Sequence, residues 1–124
     1  AEADRIEGPW TRMSDRNPVK LEPFAENPIV SQLDNGVYIA IVDGGPWLDK
    51  MGYTLSWDGV NWSSLRHFEL EPTIEKWWSA LRTPLCLIKE EDGTYTMLFT
   101  AFRDYDNGLR FGMLNKLKLK MEYI

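Results

Sequence analysis

Cysteine and histidine each occur once in the 124 residues, which removes several classes of chemistry at the outset. The lone cysteine, Cys86, has no partner for an intrachain disulfide, and between Leu85 and Leu87 it reads as a buried, inert thiol. His67 has no cysteine or carboxylate at ligand spacing, so no metal site is expected. The sequence has no glycine-rich phosphate loop, Gly-x-Ser-x-Gly elbow, Cys-x-x-Cys or His-Glu-x-x-His. Phosphoryl transfer, serine hydrolysis and zinc catalysis therefore lack support, and no cofactor is implied. No apolar run approaches the roughly 18 residues of a membrane span. The opening Ala1-Glu2-Ala3-Asp4 is no signal peptide, so any signal for secretion or periplasmic export is expected outside residues 1–124.

Basic charge is sparse too. Fourteen Lys and Arg stand against nineteen Asp and Glu, for a net charge of −5, and the nearest thing to a basic cluster is the spaced series Lys116, Lys118, Lys120. That balance argues against nucleic acid or an anionic membrane as partner and favours a neutral substrate. What is plentiful is core material: 44% of residues are hydrophobic and 13% aromatic, ample for one globular domain.

The apolar residues are arranged as strands. Two strand-length runs flank the turn signal Asp34-Asn35-Gly36, and a third leads into a second turn at Asp58-Gly59, describing an antiparallel meander. The pattern then recurs. Asn27-Pro28-Ile29-Val30 followed by Asp34-Asn35-Gly36-Val37-Tyr38 is echoed by Thr83-Pro84-Leu85-Cys86 followed by Glu91-Asp92-Gly93-Thr94-Tyr95. The offset is 84 − 28 = 56 at the prolines and 95 − 38 = 57 at the tyrosines, which suggests one residue added in the turn. A repeat of this period in an all-β chain predicts radially arranged sheets, a β-propeller fragment with four-stranded antiparallel blades.

On this reading the chain is a single partial domain. Residues 1–25 are the end of a preceding blade and a crossing, 26–70 a complete blade, and 71–124 a crossing and the next blade. Strands are expected near 29–33, 37–42, 53–56 and 62–70 in the first unit, and at 85–89, 95–102 and 109–114 in the second. The tail 117–124, alternating Leu117, Leu119, Met121 and Tyr123 with Lys118, Lys120 and Glu122, is expected to form the outer strand of the second unit. A short helical turn is expected at 74–80.

Gly8-Pro9-Trp10, Glu26-Asn27-Pro28, the Gly-x-Tyr of the second strand, the run from Ser56 to Trp62 and Arg82-Thr83-Pro84 together resemble the five-bladed β-propeller glycoside hydrolases, the group that includes families 43, 32 and 68. The resemblance spans nearly the whole chain but only about two of the five blades. It implies hydrolysis of glycosidic bonds in oligosaccharides, with Glu26, in the Glu-x-Pro position at the head of an inner strand, as general acid. The group's two aspartates would lie before residue 1, so the isolated chain is expected to be catalytically incomplete.

Such chemistry needs a carboxylic acid to protonate the departing oxygen and a second carboxylate across the sugar. Arg82 holds in the second repeat the place of Glu26 in the first, and two roles stand for it: contact with a substrate hydroxyl or carboxylate, or an ion pair with Glu26. Asp43, after the second strand, approaches the same region or simply belongs to an Asp-Gly-Gly turn. Trp47 is a candidate stacking surface for a sugar, whereas Trp77 and Trp78 fit packing between blades, and Trp10, Trp57 and Trp62 fit structural turns. A different class of function, a non-catalytic carbohydrate-binding or scaffold module, keeps the same blade pattern. The expected partners are an oligosaccharide and either the remaining blades of a longer chain or a second copy covering the exposed edges.

Overall fold

The computed structural model describes residues 1–15, 26–43, 50–71, 77–103 and 111–122. Among them the chain is all-β, with no helix. Seven strands, β1 (Glu26–Gln32), β2 (Tyr38–Asp43), β3 (Gly52–Ser56), β4 (Arg66–His67), β5 (Ala80–Lys89), β6 (Tyr95–Arg103) and β7 (Phe111–Leu119), form two antiparallel meanders. The first sheet has the order β1-β2-β3-β4 and the second β5-β6-β7.

The two opening hairpins match bond for bond. Leu33 N–H donates to Val37 O and Gly36 N–H to Leu33 O; Glu90 N–H donates to Thr94 O and Gly93 N–H to Glu90 O. Asn35 and Asp92 each accept the backbone N–H two residues on through Oδ1. The turns end on Gly36 (φ 83°) and Gly93 (φ 79°), a left-handed position that glycine takes without penalty.

The added residue is therefore not in the turn. β1 carries one register shift against β2, between Glu26 and Ile29, whereas β5 carries two against β6, at Arg82/Pro84 and Pro84/Cys86. The offset changes from 56 to 57 across the second bulge, at Leu85, whose side chain is exposed. A bulge inserts one residue into one strand without disturbing the pairing on either side.

Strand alternation sets the core. Ile39 and Ile41 of β2 cluster with Leu81 of β5 and Tyr95, Met97, Phe99 and Ala101 of β6, joining one face of each sheet. Trp78 is buried edge-on against Phe99 at a centroid distance of 5.7 Å, and Trp77 meets Trp78 edge-on at the same distance. Trp78 belongs to the core cluster and Trp77 packs against it.

Several boundaries differ from the sequence reading. The fourth strand, expected over 62–70, contracts to Arg66–His67. Residues 77–79 are not helical and Ala80 already belongs to β5, while 74–76 lie outside the described residues. Leu117 and Leu119 do not form a separate outer strand: they continue β7, pairing with Met97 and Tyr95. Alternation of apolar and polar residues fixes which face a side chain takes but not where one strand stops and another starts. Cys86 is only half-buried, because it lies on the face of β5 turned away from the core.

Candidate functional site

β1 and β2 of the first sheet lie against β5 of the second, so the heads of the two proline-bearing strands are neighbours. Each head has the same backbone anomaly. Asn27 (φ 49°) and Thr83 (φ 27°), 56 positions apart, are the two non-glycine residues with positive φ among the described residues, and each precedes the proline of a bulge. Asparagine tolerates this region, but for a β-branched threonine it is an outlier that costs about 1–3 kcal/mol. Something must hold it there.

That role falls to Asp43. It ends β2 directly opposite Glu26, and its side chain is 1% exposed. Asn27 Nδ2 donates to Oδ1 at 3.0 Å, and the backbone N–H of Thr83 donates to Oδ2 at 3.1 Å. Arg82 Nε lies 3.4 Å from the same Oδ2. One buried carboxylate thus ties both strained strand heads together across the two sheets. A weaker bond from Asn27 Nδ2 to Thr83 Oγ1, at 3.4 Å, links them directly.

Arg82 also reaches the second carboxylate. Its Nη2 donates to Glu26 Oε2 at 3.0 Å, with the Glu26 side chain 42% exposed. Glu26 and Asp43 are cross-strand neighbours of like charge, an arrangement that is destabilising unless compensated. The guanidinium, supplied by the neighbouring sheet, lies between them. Of the two roles the sequence leaves open for Arg82, the structure shows the ion pair.

The site therefore has two layers. Buried Asp43 clamps Asn27 to Thr83, and beside it Glu26 and Arg82 present a partly exposed acid and cation to solvent. Asp43 is not the exposed turn residue that Asp-Gly-Gly allows: its carboxylate accepts bonds from both strand heads. Trp47 lies outside the described residues. Asn27 and Thr83 were legible only as an echo, a polar residue before proline in both repeats, and their left-handed backbone had no separate signal.

Two of the turn tryptophans depart from the structural role expected of them. Trp57 is 78% exposed and Trp10 59% exposed. The turn carrying Trp57 is held by Asp58 instead. Asp58 Oδ1 accepts the backbone N–H groups of Val60 and Asn61, and Oδ2 accepts the Asn61 amide. These bonds, led by the Asn61 N–H, hold the Asp58 carboxyl well below the usual carboxylate range.

No family model matches the chain, and neither a curated protein nor a solved structure matches it.

Proposed function

We propose that this chain supplies two neighbouring blades of a β-propeller glycoside hydrolase, with Glu26 as the general acid that protonates the leaving oxygen of an oligosaccharide. The observation that carries the reading is the meeting of Glu26, Arg82 and Asp43 at the adjacent heads of two repeat-related strands. Strained backbone clusters where function over-determines it, and both strained residues are at this point. The face of the second sheet turned away from the core bears exposed Ile88 and Leu114, as a sheet does that another sheet is meant to cover.

Asp43 is a poor choice for the second catalytic carboxylate, because its oxygens are engaged by Asn27, Thr83 and Arg82. The base or nucleophile is assigned to a further blade. Asp43 acts as a positioning residue that sets where Arg82, and through it Glu26, points.

The test is a comparison of leaving groups in the full-length protein. Glu26→Gln should abolish hydrolysis of glycosides with poor leaving groups while sparing activated aryl glycosides, which need little protonation. Equal loss on both classes removes the acid assignment. The second reading, a non-catalytic carbohydrate-binding module, is favoured by the Arg82–Glu26 ion pair, since a carboxylate engaged by arginine suits binding of sugar hydroxyls. Under that reading no glycoside is cleaved and Glu26→Gln lowers oligosaccharide affinity in calorimetry.

A further inference from the structure

Asn27 and Thr83 hold the same place in the two repeats, yet only one of them suits its backbone. Asparagine and glycine enter the left-handed region readily, whereas the branched Cβ of a threonine has to be forced there. The clamp does not require that choice. Asp43 Oδ2 accepts the backbone N–H of Thr83, a bond that any residue except proline could supply.

The threonine side chain adds little to the fold in return. Among the described residues its one hydrogen bond is the long one from Asn27 Nδ2, at 3.4 Å and open to solvent. A bond of that length beside water does not offset the strain. Strain that packing leaves unexplained gathers where a side chain is used. The Thr83 hydroxyl is set for use: it has one proton to donate and accepts through its lone pairs. Accepting from Asn27 turns the proton elsewhere, and among the described residues no acceptor takes it. Thr83 is half-buried and directly follows Arg82, whose Nη2 reaches Glu26 at 3.0 Å. The free donor is therefore next to the acid and the cation, within reach of solvent.

We propose that Thr83 is a sugar-binding residue of this site, its Oγ1–H donating to an oxygen of the bound oligosaccharide, and that the strained backbone aims the hydroxyl. The inference rests on the strand heads binding sugar, and it adds a residue that favours sugars with an acceptor oxygen at that point.

Alanine and serine both lack the branched Cβ and differ by one oxygen, so the two variants at position 83 isolate the hydroxyl. Calorimetry of the full-length protein with arabino-, xylo- and fructo-oligosaccharides should show Thr83→Ala weakening the affinity for the sugar that binds by about threefold to tenfold, with Thr83→Ser within about twofold of wild type. Neither variant should lower the urea midpoint. Equal binding by Thr83→Ala and wild type overturns the proposal, and so does a loss in Thr83→Ser as large as in Thr83→Ala; the dependence of hydrolysis on Glu26 would stand in both cases. A loss of affinity matched by a fall in the midpoint gives the threonine a structural role and overturns it as well. Binding of none of the three sugars by the wild type removes the sugar site itself, and this role with it.

Discussion

Replacing Asp43 by alanine removes the acceptor on which both strand heads depend. The loss can be sized from its contacts. The Thr83 N–H bonds to a carboxylate whose side chain is 1% exposed, and a hydrogen bond to a charged group contributes about 1.5–3 kcal/mol. Asn27 is exposed and its amide can turn to water, so that bond adds little. Arg82 keeps Glu26 as partner and is 28% exposed, which limits the loss from its separation to about 1 kcal/mol. Asp43→Ala should therefore cost about 2–4 kcal/mol. With a urea dependence of about 1–3 kcal/mol per molar, the midpoint should fall by about 0.7–4 M with an unchanged slope. Asp43→Asn, which retains one oxygen for Thr83, should lose less. A midpoint for Asp43→Ala within about 0.3 M of wild type would refute the clamp.

Three further outcomes follow from the same geometry. Thr83→Gly removes a strain of about 1–3 kcal/mol and adds chain entropy of about 0.5–1 kcal/mol, so stability in the same urea assay should hold or rise; a clear loss would contradict the left-handed assignment. Trp78 is buried, and among the described residues its Nε1 has no partner. Trp78→Phe should thus be far milder in thermal unfolding than Trp78→Ala, which should cost about 3–5 kcal/mol. Asp58 and Asp92 both titrate below their ordinary range, Asp92 chiefly through the Lys118 ammonium. A carboxyl depressed by folding contributes stability above its unfolded value of about 3.9, lost as pH falls further. Acid unfolding monitored by fluorescence should therefore begin below about pH 4 and shift to higher pH in Asp58→Ala. Lys89, raised by its bond to Asp34, contributes in the opposite sense: its share is present below about pH 10 and lost above it.

Local chemistry made the hairpins readable. Asp34-Asn35-Gly36 and Glu91-Asp92-Gly93 carry the residues that a left-handed turn position requires, and the strands they join fell close to the expected places. The echo of Glu26-Asn27-Pro28 in Arg82-Thr83-Pro84 likewise pointed to two strand heads meeting. What stayed hidden depends on contacts made across the fold. The second bulge at Leu85 shifts the repeat without any turn residue to announce it, since a bulge is set by pairing with β6. Asp43 reads as a turn residue because its partners, Thr83 and Arg82, are about forty positions away in the chain. Exposure of Trp57 is equally invisible locally: the Asp58 network that holds its turn leaves the indole without a packing task.

The proposed sugar-binding site lies where the strand heads of β1 and β5 meet. Titrating the isotopically labelled full-length protein with arabino-, xylo- and fructo-oligosaccharides, and following amide resonances, tests this most directly. At least one of these sugars should move the signals of Asn27, Asp43, Arg82 and Thr83 together, along a single saturating curve. Saturable shifts confined to other surfaces, or none with any of the three, would contradict it.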